Sequence, residues 1–141
     1  MVNNPLVRWE RYAPVGIGLD EMFKRLDVMA DSSASTNYPP YNIKKLDDHS
    51  QLLEVALAGW KKEEIEVSLE RWVLNVKVQT EEKETYGEYV HKGIARRTFS
   101  RNWQLSDDVQ IEDVKYENGL LSITLRRIMP EEQKRKVFDI S

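Results

Sequence analysis

Two histidines, His49 and His91, are the first residues to suggest chemistry, since an imidazole can serve as a general base, a proton shuttle or a metal ligand. Neither stands at ligand spacing from a second histidine, and the chain has no cysteine to complete a metal set or to form a disulfide. No histidine accompanies a serine in a pattern that would supply a nucleophile with its base, so acyl transfer lacks its components. The paired acids Asp47-Asp48 and Asp107-Asp108 could share acid and base roles, but each pair reads as a turn former. Gly16-Ile17-Gly18 has neither the lysine nor the preceding strand of a phosphate loop. Arg96, Arg97 and Arg101 with Phe99 and Trp103 could stack and pair with RNA, but in an extended chain Arg97 shares the Phe99 face while Arg96 does not. The expectation is therefore a protein that is not an enzyme, with no catalytic residue, no metal and no cofactor.

What remains is apolar adhesion, concentrated at the two ends of the chain. Phe138 and Ile140 follow the charged run Glu131-Glu132-Gln133-Lys134-Arg135-Lys136. They lie two residues apart, so an extended peptide points both the same way, which suits a strand laid on an exposed sheet edge with pockets for alternate side chains. The competing reading is a strand that completes the chain's own sheet. Near the other end, Ile17, Leu19, Met22, Phe23, Leu26 and Met29 recur at helical spacing among Asp20, Glu21, Lys24, Arg25 and Asp27. This predicts a short amphipathic helix, ended by the turn-favouring run from Asp31 to Asn37. Its apolar stripe has no partner within its own segment, so it must dock on the core, on another subunit or on a foreign chain.

Between these ends the hydrophobic period changes from helical to two. Leu53, Val55 and Leu57 alternate with Glu54, Ala56 and Ala58, and Ile65, Val67 and Leu69 alternate with Glu64, Glu66, Ser68 and Glu70. Leu74, Val76 and Val78 form a third set, Phe99, Arg101, Trp103 and Leu105 a fourth, and Leu121, Ile123 and Leu125 a fifth. Each set predicts a strand with one apolar face. Turn signals at Asp47 to Ser50, Gly59, Glu70-Arg71, Ser106 to Asp108 and Asn118-Gly119 separate them. Seven or eight short strands with few helical signals predict an all-β, immunoglobulin-like antiparallel β-sandwich spanning 38–127, between a helical N-terminal arm (1–37) and an extended C-terminal tail (128–141). Composition agrees with a folded domain: of the 141 residues 40% are hydrophobic and 32% charged. The net charge of −3 speaks against a general nucleic-acid binder. No apolar run approaches the ~18 residues of a membrane span, and Met1-Val2-Asn3-Asn4-Pro5 does not open a secretory signal. A soluble cytoplasmic protein is expected, without nucleic-acid or membrane partners.

Five segments carry a resemblance to a known family. They are Tyr38-Pro39-Pro40-Tyr41-Asn42-Ile43; Ala56-Leu57-Ala58-Gly59-Trp60 with Glu63-Glu64-Ile65-Glu66-Val67; Gly93-Ile94-Ala95-Arg96-Arg97-Thr98-Phe99; Asn118-Gly119-Leu120-Leu121; and Phe138-Asp139-Ile140. In this order and spacing they resemble the small heat-shock proteins, the α-crystallin domain family, and within it the bacterial inclusion-body-binding subgroup. Two positions depart from the family pattern: Val114 replaces alanine at the head of the A-x-x-x-n-G-x-L signature, and Phe138 replaces the first isoleucine of the I-x-I tail.

The resemblance implies an ATP-independent holdase chaperone working as a dynamic homo-oligomer of dimers. It implies a dimer made by strand exchange, in which Tyr86 and Tyr89 in the loop from Glu84 to Gly93 meet Tyr41 and Ile43 of a neighbour's first strand, with Arg101 at the contact. It places Phe138 and Ile140 in a groove on another subunit, for which Val67, Leu69, Ile111 and Val114 are the candidate lining. Unfolding client proteins would bind Leu6, Val7, Trp9, Tyr12, Ile17, Leu19, Met22, Phe23, Leu26 and Met29 of the arm, where methionine and aromatic side chains re-pack against many shapes. It further implies hand-over of clients to ATP-driven refolding chaperones. The rival readings are a β-sandwich co-chaperone that binds one folded partner and a structural subunit of a fixed assembly.

Overall fold

The computed structural model describes residues 10–35, 38–79, 87–94, 96–128 and 135–141. Helix α1 spans Asp20–Ser35, and seven strands follow: β1 Tyr41–Lys45, β2 Ser50–Ala56, β3 Ile65–Glu70, β4 Val73–Val78, β5 Phe99–Gln104, β6 Val109–Glu117 and β7 Leu120–Arg127. All pairings are antiparallel, in a four-stranded sheet ordered β1-β2-β7-β6 and a three-stranded sheet ordered β3-β4-β5. The all-β class expected from the period-two pattern is the one observed.

The four-stranded sheet owes its register to its apolar residues. Leu53 faces Ile123 and Val55 faces Leu121 across the β2–β7 ladder, and all four are buried. A one-residue slip would turn each of them outward, so burial of one face fixes the pairing. On β6 the alternation breaks at a bulge between Ile111 and Asp113. Ile111 then pairs with Leu125 and Val114 with Ile123, so two residues three apart in sequence lie opposite buried partners. The β6–β7 turn is Asn118-Gly119, with φ of 53° and 79°. Gly119 is required there twice over, because a Cβ would also come within 3.1 Å of the Ala58 Cα.

In the three-stranded sheet Leu74, Val76 and Val78 of β4 are fully buried, flanked by Val67 and Leu69 on β3 and by Arg101 and Trp103 on β5. The opposite face is polar: Asn75 donates from Nδ2 to Ser100 Oγ at 2.8 Å and to Asn102 Oδ1 at 2.7 Å. The β3–β4 hairpin closes through Arg71-Trp72, with φ of 51° and 60°. This is the left-handed geometry of the Asn118-Gly119 turn without either favoured residue. The Trp72 carbonyl is held from outside by the Leu105 N–H at 2.8 Å and by Gln104 Nε2 at 3.2 Å. Left-handed backbone costs a non-glycine residue roughly 1–2 kcal/mol, and asparagine less. Arg71 is exposed, so Arg71→Asn is expected to stabilise the domain by about 0.5–1 kcal/mol, read as a higher urea midpoint at unchanged m-value.

Helix α1 begins with Asp20 and Glu21, acids that suit the positive end of the helix dipole. It runs on through Asp31-Ser32-Ser33-Ala34-Ser35, the run expected to end it. Serine and aspartate cost only a few tenths of a kcal/mol each inside a helix, and no proline or glycine interrupts the segment.

Candidate functional site

The acids and histidine with catalytic potential are placed as turn formers. Asp47 accepts the His49 backbone N–H at 2.7 Å, and that hydrogen bond lowers the Asp47 pKa. Asp108 lies below its usual range chiefly because the Ser106 hydroxyl donates to it, with Arg127 Nε 3.0 Å away as a further cause. Among the described residues no group of three or more His, Cys, Asp or Glu could hold a metal ion. No described helix is long and apolar enough to cross a membrane.

The arginines are engaged within the chain. Arg96 lies 4.7 Å over the Trp60 ring and 3.3 Å from Glu64 Oε2, and that carboxylate also accepts the Lys61 N–H at 2.9 Å. Trp60 is buried, and the Tyr116 hydroxyl lies 2.7 Å from its carbonyl and 2.6 Å from that of Leu57. Arg96 is thus joined to an aromatic and an acid more than 30 positions earlier in the chain. Arg101 is half-buried on β5, its Nη1 donating to the Tyr38 carbonyl at 3.3 Å and its guanidinium 6.0 Å over Trp103. Tyr38 in turn stands edge-on to Phe99, centroids 5.6 Å apart. Sequence parity places Arg101 with Phe99 and Trp103, but nothing in the sequence marks a backbone carbonyl 63 positions earlier as its acceptor.

The surfaces suited to adhesion are the sheet edges and the chain ends. β1 is the outer strand of its sheet and exposed along its length, Tyr41 and Ile43 included. Tyr89 is exposed with Lys92 Nζ 5.1 Å from its ring centroid, and residues 87–94 form no strand. Tyr86 lies outside the described residues, as do Leu6, Val7 and Trp9 of the arm. β3 and β6 are the other relevant edges. Val67 and Ile111 are half-buried, and Leu69 and Val114 are 46% and 43% exposed. Val67 and Leu69 share the inward side of β3, and the bulge gives Ile111 and Val114 a common side of β6. The tail, residues 135–141, pairs with no described strand; Phe138 is 80% exposed and Ile140 99%.

Helix α1 lies against β5, and Arg25 shares a concavity with the polar outer face of the β3-β4-β5 sheet. None of its described side chains is fully buried: Met22, Phe23 and Met29 are half-covered, and Leu19 and Leu26 are exposed, as is Ile17 just before the helix. Tyr12 stacks on Phe23 with ring centroids 6.0 Å apart. With its apolar side chains half-covered or exposed, the described part of the helix gains little from burial.

Known proteins share this arrangement. The Hsp20/alpha crystallin family profile matches residues 43–141. A small heat shock protein IbpA from Serratia proteamaculans is 35% identical over 124 residues, 88% of this chain and 90% of the relative. The small heat shock protein HspD of Bradyrhizobium diazoefficiens is 38% identical over 125 residues, 89% of this chain and 82% of that one. Among solved structures, a small heat shock protein from Synechococcus phage S-ShM2 superposes with a TM-score of 0.59 at 44% identity, covering 73% of this chain and 99% of that one. A C-terminally truncated AgsA from Salmonella typhimurium gives 0.60 at 29% identity, over 72% and 98%. The fold is that of the α-crystallin β-sandwich, and the chain belongs to the Hsp20/α-crystallin family of small heat-shock proteins.

Proposed function

We propose that this protein is an ATP-independent holdase that covers the exposed apolar surface of unfolding proteins in the cytoplasm and works as a dynamic homo-oligomer built from dimers. The observation that carries this reading is the combination of closed cores with uncovered apolar ends: Phe138 and Ile140 in the tail, and an arm helix none of whose described side chains is fully buried. Such ends are satisfied only by other polypeptides.

In this reading the arm, through Tyr12, Ile17, Leu19, Met22, Phe23, Leu26 and Met29 with Leu6, Val7 and Trp9, takes up clients. Its apolar side chains are only half-covered or exposed, which makes release inexpensive, and methionine and aromatic side chains adapt to varied shapes. Dimerisation uses β1, the outer strand of its sheet, whose edge takes up a strand from the partner's loop around Tyr86 and Tyr89. Arg101, which donates to the Tyr38 carbonyl at the root of the arm, contributes to the dimer contact in this reading. The tail of one copy lays Phe138 and Ile140 on the apolar rims of another, Val67 and Leu69 on β3 and Ile111 and Val114 on β6. Two such side chains contribute about 3–5 kcal/mol gross, before ordering costs. A single tail is then exchangeable while many in one assembly hold collectively. No step consumes a nucleotide, and refolding of the held client is left to ATP-driven chaperones.

The test is light scattering of a heat-labile client with and without the protein, in the absence of ATP. Suppressed aggregation at equimolar subunits is expected. An unaltered scattering curve at that ratio removes the holdase reading.

A further inference from the structure

The edge strand β3 and the tail carry opposite charges, and the β3 acids Glu66 and Glu70 share their concavity with Arg25, Arg71 and Lys77. From Glu63 to Glu70 the chain has Glu63, Glu64, Glu66 and Glu70 and no base, whereas Lys134-Arg135-Lys136 immediately precedes the tail's apolar pair. Glu66 and Glu70 are exposed and in no ion pair among the described residues, and the same holds for Arg135 and Lys136. Glu64 is different, because its carboxylate already serves Arg96 and the Lys61 amide.

Side-chain parity turns this complementarity into a register. A tail paired along β3 with Phe138 and Ile140 on the inward side of Val67 and Leu69 must put Arg135, Val137 and Asp139 on the outward side of Glu66, Ser68 and Glu70. With Phe138 beside Val67, an antiparallel tail sets Arg135 opposite Glu70, and a parallel one sets it opposite the occupied Glu64. Moving an antiparallel tail so that Phe138 meets Leu69 sets Arg135 beyond the strand, opposite Trp72; a parallel tail so moved sets Arg135 opposite Glu66 but brings Asp139 onto Glu70 and carries Ile140 past the strand to Arg71. We propose that the tail of a second copy adds to β3 antiparallel, with Phe138 beside Val67, Ile140 beside Ile65 and an ion pair between Arg135 of one copy and Glu70 of the other. The same register brings Asp139 to Glu66, and Lys77, directly across the ladder from Glu66, offsets that repulsion. This rests on the tail-docking reading above, moves Ile140 from Leu69 to Ile65 while setting Lys136 beside Leu69, and adds the tail's polarity, its register and a dependence on salt.

The experiment is a charge exchange on the full chain, read by the subunit concentration at which the assembly half-dissociates in multi-angle light scattering. Glu70→Arg and Arg135→Glu are each expected to raise that concentration roughly fivefold, since each turns an attractive cross-strand pair into a repulsive one. The double variant is expected to return to within about twofold of the original, and wild type to weaken as NaCl rises. Single variants whose effects merely add, without rescue, overturn the register, and so does an assembly indifferent to both charges and salt. A Phe138→Asp/Ile140→Asp control separates the two levels: if it leaves the particle intact, tail docking itself has failed, and if it dissolves the particle while the exchange gives no rescue, only the register has.

Discussion

Replacing Phe138 and Ile140 together by aspartate is expected to reduce the assembly to dimers, with strand content and urea midpoint unchanged. The two side chains are almost wholly uncovered in the single chain, so their replacement removes nothing from either sheet. On another copy, however, each aspartate would have to be desolvated against Val67, Leu69, Ile111 and Val114, and burying an unpaired carboxylate costs far more than an apolar contact returns. The effect is multiplied because an oligomer closed by many weak tails loses all of them at once. The measurement is size-exclusion chromatography with light scattering, alongside far-ultraviolet circular dichroism. A particle of unaltered mass would show that assembly is held elsewhere.

Deleting residues 1–37 is expected to leave a folded dimer that has lost most of its protection of a heated client. The folded part follows from burial: no described side chain of α1 is fully buried, whereas Leu53, Val55, Leu74, Val76, Val78 and Ile123 lie downstream of the deletion. Tyr38 and its contacts with Phe99 and Arg101 are retained, so the entry to β1 keeps its anchor. The lost part follows from the distribution of adaptable apolar surface, which the deletion removes with Met22, Phe23, Leu26 and Met29. Circular dichroism checks the first half and client light scattering the second. Full protection by the truncated chain would move client binding onto the sheets.

The two predictions separate the functions of the two ends. The tail variant should still hold clients as a dimer, and the arm deletion should still dimerise without holding them. A rigid structural subunit would lose its assembly in the first variant and have no client protection to lose in the second. A module for one folded partner would show neither effect.

Much of the fold is local information. Alternation along Leu53 to Leu57, Ile65 to Leu69, Leu74 to Val78 and Leu121 to Leu125 specifies a strand and its buried face, because side-chain direction in extended backbone has a period of two whatever the partner. Asn118-Gly119 likewise names its own turn, since both residues accept positive φ at little cost. The isolated Phe138-Asp139-Ile140 behind a charged spacer marks an apolar pair apart from the strands without any structure.

Other features exist only once distant segments meet. The bulge beside Glu112 is invisible in the alternation of β6 alone; pairing with β7 makes Ile111 and Val114 neighbours on one side. The Arg71-Trp72 turn runs against local preference and is held by Leu105 and Gln104 from another strand. The continuation of α1 through its serines follows from weak propensities that do not amount to a stop. Arg96 on Trp60 and Glu64, and Arg101 on the Tyr38 carbonyl, are contacts across 30 to 60 positions. Periodicity records which way a side chain points, and it carries no term for what the folded chain brings to meet it; that is decided only when tertiary packing sets the positions of both partners.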